Sequence, residues 1–234
     1  MAIHPEAPWH QESYDTFVSE GLPRLIGDRI PVTAYEWAHI SPKSCRVTIR
    51  VGEAEIVEDL PRPDASGVFD LRDTPVGDNG FRVVIPVPNR LDVAEATIAY
   101  VGEQLAAYLT DRLGTAPEGV DWDQELLSSW LPLSEWVYAF LASEPTSQYL
   151  QNTNWLDRWT HIRRLTLIPT VPEGEAVLDE DSVGRSYAFG LTCPINAPSG
   201  PNAGWFLEVA LGAAIKEGRL VRVAEDGGRS WIWD

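Results

Sequence analysis

His161 and the neighbouring arginines Arg163 and Arg164 are the residues whose types and spacing best suit contact with a phosphate group. A guanidinium group offers a planar fork of N–H donors that can hold a phosphate through two hydrogen bonds. The same residues also have ordinary structural interpretations. An arginine pair can form ion pairs at a strand edge, and a histidine can pack in a core or cap a helix. Taken alone, these residues favour the structural interpretations.

A loop rich in proline, glycine and asparagine follows at residues 193–204. Glycine lets the backbone approach a ligand where a bulkier side chain would collide with it. The composition of this loop therefore permits close approach of its backbone to a ligand.

The sequence lacks the motifs of self-contained catalysis. It has no P-loop, HExxH or GxSxG motif, and no Asp-x-Asp-x-Asp arrangement for two-metal phosphoryl transfer. We expect the acidic run at residues 179–181 to be a solvated turn rather than a metal site, and Ser186 to be a loop hydroxyl. The chain is therefore expected to bind no cofactor and to have no activity alone.

The formal net charge of −17 argues against broad contact with nucleic acid, because such binding gains its non-specific affinity from lysine and arginine. Residues 1–140 hold 10 basic and 23 acidic groups, and residues 141–234 hold 8 basic and 12 acidic groups. Any contact with a polyanion is therefore expected to be local and to fall in the C-terminal part.

The start of the sequence lacks the basic and apolar regions of a signal peptide, and no apolar stretch reaches the roughly 18 residues of a membrane span. Cys45 and Cys193 have no CxxC spacing, so we expect buried thiols rather than a zinc site or a disulfide. Most of the ten tryptophans are expected to pack in a core or an interface. These features predict no membrane contact and a cytoplasmic or virion-internal location.

The apolar periodicity predicts an α+β fold in which antiparallel sheets pack against helices. Helices are predicted at residues 10–26 with a break at 21–23, at 93–113, at 122–142 with a break at 131–132, and at 205–216. Strands are predicted at residues 30–38, 45–51, 81–87 and 164–168, with a terminal hairpin of 219–224 and 229–233. Residues 60–80 are rich in proline, aspartate and glycine and are predicted to form a long connection.

Four stretches of the chain resemble the β-type, or second-largest, subunit of multisubunit DNA-directed RNA polymerase. The first is His10-Gln11-Glu12-Ser13-Tyr14-Asp15-Thr16-Phe17, followed by Glu20-Gly21-Leu22-Pro23. The second runs from Ser147-Gln148-Tyr149 through Asn154-Trp155-Leu156 to Thr160-His161 and the arginine pair. The third is residues 190–204, which resemble the Cys-Pro and Pro-x-Gly-Pro-Asn signature of that subunit. The fourth is the predicted helix after it with the turn-like ending Gly218-Arg219-Leu220 and Asp226-Gly227-Gly228.

The resemblance departs from the pattern of the subunit at several polar positions. Leu191 stands where the family has arginine, and Asn196 and Ser199 replace glutamates. Ile162 replaces the lysine before the arginine pair. The polar contacts that this loop makes in the family are therefore in question here.

The resemblance implies a protrusion-like domain at residues 1–140, without the large inserted lobe of the family, and a fork-like domain at residues 141–234. Such a chain would be a shortened or split subunit, of phage or viral origin, that forms one wall of the active-site cleft and helps to position template and nucleotide. Its partners would be the remainder of β, a β′-type subunit carrying the catalytic aspartates and Mg²⁺, and the DNA template or RNA. The residues expected near nucleic acid or nucleotide are Gln148, His161, Arg163, Arg164, Arg185, Pro198, Gly200 and Asn202.

Two other functions are compatible with the same resemblance. The chain could imitate the β surface as a regulator or decoy that binds a host polymerase, for which its acidity would suit a competitor of nucleic acid. It could also be a virion structural protein that inherited the fold.

Overall fold

The computed structural model describes residues 8–72, 74, 80–88, 96–117, 119–166, 190–196, 206–223 and 229–230. The α-helices are α1 (Pro8–Thr16), α2 (Leu22–Gly27), α3 (Val101–Arg112), α4 (Gln124–Trp130), α5 (Leu133–Ser143) and α6 (Trp155–Ile162), with a π-helical turn at Phe17–Gly21. The strands are β1 (Ala34–Ser41), β2 (Ser44–Val51), β3 (Ala54–Pro61), β4 (Val68–Asp70), β5 (Phe81–Val84), β6 (Val87–Pro88), β7 (Ile98–Ala99), β8 (Ser147–Tyr149), β9 (Arg164–Thr166), β10 (Phe206–Glu208), β11 (Ala213–Lys216), β12 (Arg219–Val223) and β13 (Arg229–Ser230). This mixture of helices with antiparallel strand pairs confirms the predicted α+β class.

The chain divides into two compact units. The first consists of Met1–Val84 and Val101–Tyr149, and the second of Ile85–Tyr100 and Leu150–Asp234. The second unit therefore takes up a short segment from the middle of the chain. The assignment of residues 1–140 and 141–234 to protrusion-like and fork-like domains stays a prediction.

The first unit is built on the antiparallel sheet β1-β2-β3. Alternation along β2 buries Cys45, Val47 and Ile49 and exposes Arg46 and Arg50, as the sequence predicts for residues 45–51. Successive side chains of a strand point to opposite faces, so the apolar set forms one continuous inner face. The outer face carries cross-strand ion pairs such as Arg46 with Asp59.

The predicted break or kink at residues 21–23 of the N-terminal helical segment takes the form of a π-helical turn between α1 and α2. Pro23 cannot donate a backbone hydrogen bond, which is why the sequence predicts a break at residues 21–23. The helix widens by one residue, because the Leu22 N–H donates to the Phe17 carbonyl in a π-helical turn. The turn keeps Tyr14, Phe17 and Leu22 on the buried side.

The two helices α4 and α5 confirm the prediction for residues 122–142, including its break. The Asp123 side chain accepts a hydrogen bond from the Leu126 N–H at 2.8 Å and thereby caps the start of α4. Leu131 and Pro132 then separate the two helices. Buried Leu127, Leu133 and Phe140 join the core of the first unit.

Three predictions of secondary structure are wrong in the described residues. Helix α3 begins at Val101 rather than at residue 93, because Ile98 and Ala99 form β7 and pair with β6. The predicted connection at residues 60–80 contains β4, whose Val68 and Phe69 are buried against β5. The predicted helix at residues 205–216 is instead two separate strands, β10 and β11, which pair with β9 and β12 respectively.

A tight turn near residue 216 accounts for strands where the sequence predicts a helix. Strands β11 and β12 pair directly up to Lys216 and Arg219, which leaves Glu217 and Gly218 as a two-residue loop. Both loop residues have positive φ, 51° and 73°, as a type I′ hairpin turn requires. The predicted terminal hairpin is confirmed where the structure describes it, since β12 pairs with β13.

Helices α1 and α3 touch at Gly102. Its N–H donates to the Ser13 Oγ at 3.0 Å, and a Cβ added at Gly102 would lie 2.3 Å from the Ser13 carbonyl oxygen. We therefore expect Gly102→Ala to lower the free energy of unfolding by about 1–3 kcal/mol through overpacking. Gly27→Ala is the matched control, because no atom lies within 4 Å of its added Cβ.

Urea denaturation followed by circular dichroism measures both variants. Gly27→Ala should unfold at the wild-type midpoint or slightly above it, since alanine is the better helix former. Equal midpoints for the two alanine variants would contradict the proposed close contact of α1 and α3.

Candidate nucleic-acid interface

Helix α6 carries the histidine of the candidate site and leads into the arginine pair. It begins where the Asn154 side-chain oxygen accepts a hydrogen bond from the Asp157 N–H at 2.9 Å, and it ends at Ile162. The sequence analysis missed this helix. An asparagine followed three residues later by an acidic residue is a helix-start signal that could have indicated it.

His161 is buried and serves as a hydrogen-bond acceptor within the second unit. Only 1% of the residue is exposed, and its Nδ1 accepts a hydrogen bond from the Gln151 N–H at 2.9 Å. Burial, with a smaller contribution from the charge of Arg164, lowers the pKa of His161 from 6.5 to about 4. The ring is therefore neutral at pH 7 and adds no positive charge to the site. This arrangement matches the packed-histidine interpretation.

The Arg163 guanidinium is committed to protein carbonyls. Its Nε donates to the Val209 carbonyl at 3.2 Å, and its Nη2 donates to the Ala210 and Ala213 carbonyls at 2.7 and 3.0 Å. Its guanidinium carbon also lies 4.9 Å from the centroid of the Trp159 ring. Burial lowers the pKa of Arg163, with Glu208 acting in the opposite sense. Arg163 therefore stabilises the backbone conformation of residues 209–213.

Arg164 is only half-buried and has a different environment. Its Nη2 donates to the Gln151 side-chain oxygen at 3.1 Å, and Glu208 lies opposite it across the β9–β10 pair. Burial lowers the pKa of Arg164, while Glu208 and Asp157 raise it. A guanidinium has five N–H donors, so this contact leaves donors for a phosphate. Of the two arginines, Arg164 is the better candidate for nucleic-acid contact.

The departures from the family pattern agree with the packing around the site. Leu191 and Ile162 are each 1% exposed, so a long charged side chain at either position would have to be accommodated in the interior. The Asn196 amide donates to the Glu208 carboxylate. A glutamate at position 196 would instead bring two carboxylates together. Burial raises the pKa of Glu208, whereas Asn196 and the arginines lower it.

The remaining predicted site residues belong to the first unit or lie outside the described residues, so their place in the site stays a prediction. Gln148 lies in β8 of the first unit, where it is paired in register with Val83. Arg185, Pro198, Gly200 and Asn202 lie outside the described residues. The sequence analysis did not single out Glu208, which lies opposite Arg164 across the β9–β10 pair. Its role depends on a pairing that no local motif predicts.

A groove of about 420 Å³ lies beside the same elements. Its lining comes from α6, from residues 193–196 and from residues 208–211. Among the described residues, no group of three histidine, cysteine, aspartate or glutamate side chains is placed to hold a metal ion. The helices in the described part of the chain include none with the length and apolar character to cross a membrane.

Comparison with known proteins supports the resemblance over this part of the chain. Residues 148–215 match the family model described as RNA polymerase Rpb2, domain 3. A DNA-directed RNA polymerase subunit beta from Nephroselmis olivacea is 33% identical over 92 residues. The aligned part covers 37% of this chain and 8% of that relative. The chain thus contains a segment similar to the β subunit of DNA-directed RNA polymerase.

The pKa of His161 predicts a loss of stability in acid. The folded state binds this proton less tightly than the unfolded state does. The free energy of unfolding is therefore unaffected by protonation of His161 above pH 6.5 and decreases as the pH falls toward 4. Replacing His161 by asparagine keeps an acceptor near Nδ1 and removes the titrating group. Between pH 7 and pH 4, the free energy of unfolding should decrease by on the order of 3 kcal/mol less in the variant than in the wild type.

Chemical denaturation of the wild type and the variant at a series of pH values measures this difference. A pH profile of His161→Asn that overlays the wild-type profile would show that the ring is not held neutral.

The contacts of the two arginines predict different effects on stability. Arg163→Met leaves three carbonyls without the guanidinium, so we expect a loss on the order of 3 kcal/mol. Arg164→Met removes one contact at a half-buried position and should cost less than about 1 kcal/mol. Hydrogen exchange of the peptide covering residues 206–216 should accelerate strongly in the first variant alone. Equal acceleration in both would refute the assignment of different roles.

Proposed function

We propose that this chain is a β-type component of a multisubunit DNA-dependent RNA polymerase, in which it forms part of the cleft wall and helps to position template and nucleotide. The observation that carries the proposal is the overlap of the family match at residues 148–215 with α6, β9 and their polar contacts. The proposed shortened or split form of the subunit, and its phage or viral origin, rest on the sequence resemblance alone.

Arg164 is the residue proposed to contact a phosphate of the template, transcript or nucleotide. Its position is constrained on one side by Gln151 and influenced on the other by Glu208. A guanidinium held in this way can bind a phosphate with less loss of side-chain freedom than a mobile arginine. The overall charge of −17 disfavours extended binding, so a small number of positioned arginines suits a local contact.

Catalysis in this proposal belongs to the partners. The catalytic aspartates and Mg²⁺ are assigned to a β′-type polypeptide, and other polypeptides are expected to supply the remainder of β. This chain contributes surface and positioning, and is proposed to have no activity alone. The expected cytoplasmic or virion-internal location follows from the same role.

Co-purification and a substitution at Arg164 test the proposal together. A tagged chain expressed in its natural source should recover polymerase-like polypeptides, and the recovered complex should synthesise RNA. Arg164→Ala should enter the complex normally but lower the rate of RNA synthesis about tenfold or more, because one charge-assisted contact is lost. The matched control is Arg24→Ala, whose side chain is 79% exposed on α2.

Recovery of no polymerase-like polypeptide would eliminate the subunit proposal. Full activity of Arg164→Ala would eliminate the role of this arginine while leaving the subunit proposal in place. The acidity of the chain favours one second candidate, a decoy that competes with nucleic acid for a host polymerase. Inhibition of a complete polymerase by added chain would support the decoy, whereas restoration of an incomplete polymerase would support the subunit.

A further inference from the structure

Three exposed apolar side chains surround the groove of the second unit. Leu156 comes from the first turn of α6, Ile195 from the segment after β9, and Leu211 from the turn before β11, and their exposed fractions are 50%, 91% and 69%. Trp159 and Val209 line the same groove and are buried. Apolar residues clustered in this way around a concave surface are typical of a site that another molecule covers.

The charged groups that line the groove are both acidic. They are Asp157 and Glu208, and the described lining contains no lysine or arginine. Arg163 lies nearby, but its donors are directed to the carbonyls of residues 209, 210 and 213. Two carboxylates beside an apolar surface disfavour a nucleic-acid backbone and suit a basic group next to an apolar one.

We propose that this groove binds a segment of another polymerase polypeptide in which an apolar side chain lies next to a lysine or arginine. The apolar side chain would pack among Leu156, Ile195 and Leu211, and the basic group would pair with Asp157, since Glu208 is buried and bound by Asn196. A volume of about 420 Å³ has room for a few side chains. This inference rests on the proposed function, since the partner polypeptides of a polymerase supply the segment.

The same groove contains a chemical probe of its occupancy. Cys193 lines the groove and is partly accessible, whereas Cys45 is fully buried in the first unit. Burial also raises the pKa of the Cys45 thiol to about 11, which keeps it unreactive. Alkylation of the native chain by iodoacetamide should therefore occur at Cys193, and its rate should report whether the groove is covered.

The experiment compares the chain alone with the complex of polymerase polypeptides that the tagged wild type recovers. Alkylation of Cys193 should be at least tenfold slower in the complex. Leu156→Glu and Leu211→Glu should weaken capture of the purified polypeptides at least tenfold, because they place a charge on the apolar surface. Asp157→Asn should weaken capture about threefold and reduce its dependence on salt.

Ile40→Glu is the matched control, because Ile40 is 48% exposed on β1 of the first unit. It should capture the polypeptides within twofold of the wild type. Circular dichroism and unfolding midpoints establish that each variant is folded. Folding is expected because Leu156, Leu211 and Ile40 are all exposed.

The possible failures are distinguishable. If the wild type recovers no polymerase polypeptide, the proposed function fails and the groove assignment fails with it. If the complex forms but Cys193 stays equally reactive and the groove variants bind normally, only the groove assignment is overturned. Protection of Cys193 that increases with the concentration of the chain alone would assign the groove to a second copy and overturn the proposed partner.

Discussion

The buried guanidinium of Arg163 is the interaction on which the second unit depends. A charged group removed from water is costly unless hydrogen bonds replace its hydration, and the carbonyls of Val209, Ala210 and Ala213 supply them. The Val209 N–H returns a hydrogen bond to the Arg163 carbonyl at 3.0 Å. These reciprocal contacts join the end of α6 to a segment nearly fifty residues away in sequence.

The fixed position of Arg163 gives its neighbour a different role. Arg163 is the residue that ends α6 and Arg164 is the first residue of β9, and the side chain at 163 is buried whereas that at 164 is half-buried. Gln151 then connects the two sides of the site, because its N–H binds His161 and its side-chain oxygen binds Arg164. A pair that looks uniform in sequence is therefore divided into one structural and one accessible arginine.

Charge separates the two surfaces proposed for binding. The half-buried Arg164 offers positive charge for a phosphate, whereas the groove beside α6 is lined by Asp157 and Glu208 and by exposed apolar side chains. Glu208 belongs to both, because it lies opposite Arg164 in the β9–β10 pair and also lines the groove. The hydrogen bond from the Asn196 amide holds the Glu208 carboxylate between the two surfaces. The two proposed surfaces therefore share Glu208 and differ in the sign of their other charged group, which is Arg164 in one and Asp157 in the other.

Features that depend on neighbouring residues were predictable from the sequence alone. Alternation in residues 45–51 and the break between α4 and α5 were predictable because a strand's burial pattern and a proline's missing donor act locally. The motifs around His161 were sufficient to indicate the β-type resemblance. Tertiary structure alone decided that residues 206–208 and 213–216 are strands, since their apolar spacing also fits a helix and distant partners selected the extended form. It likewise decided that Arg163 binds carbonyls, because the cost of burying a charge is met by groups that no local pattern places beside it.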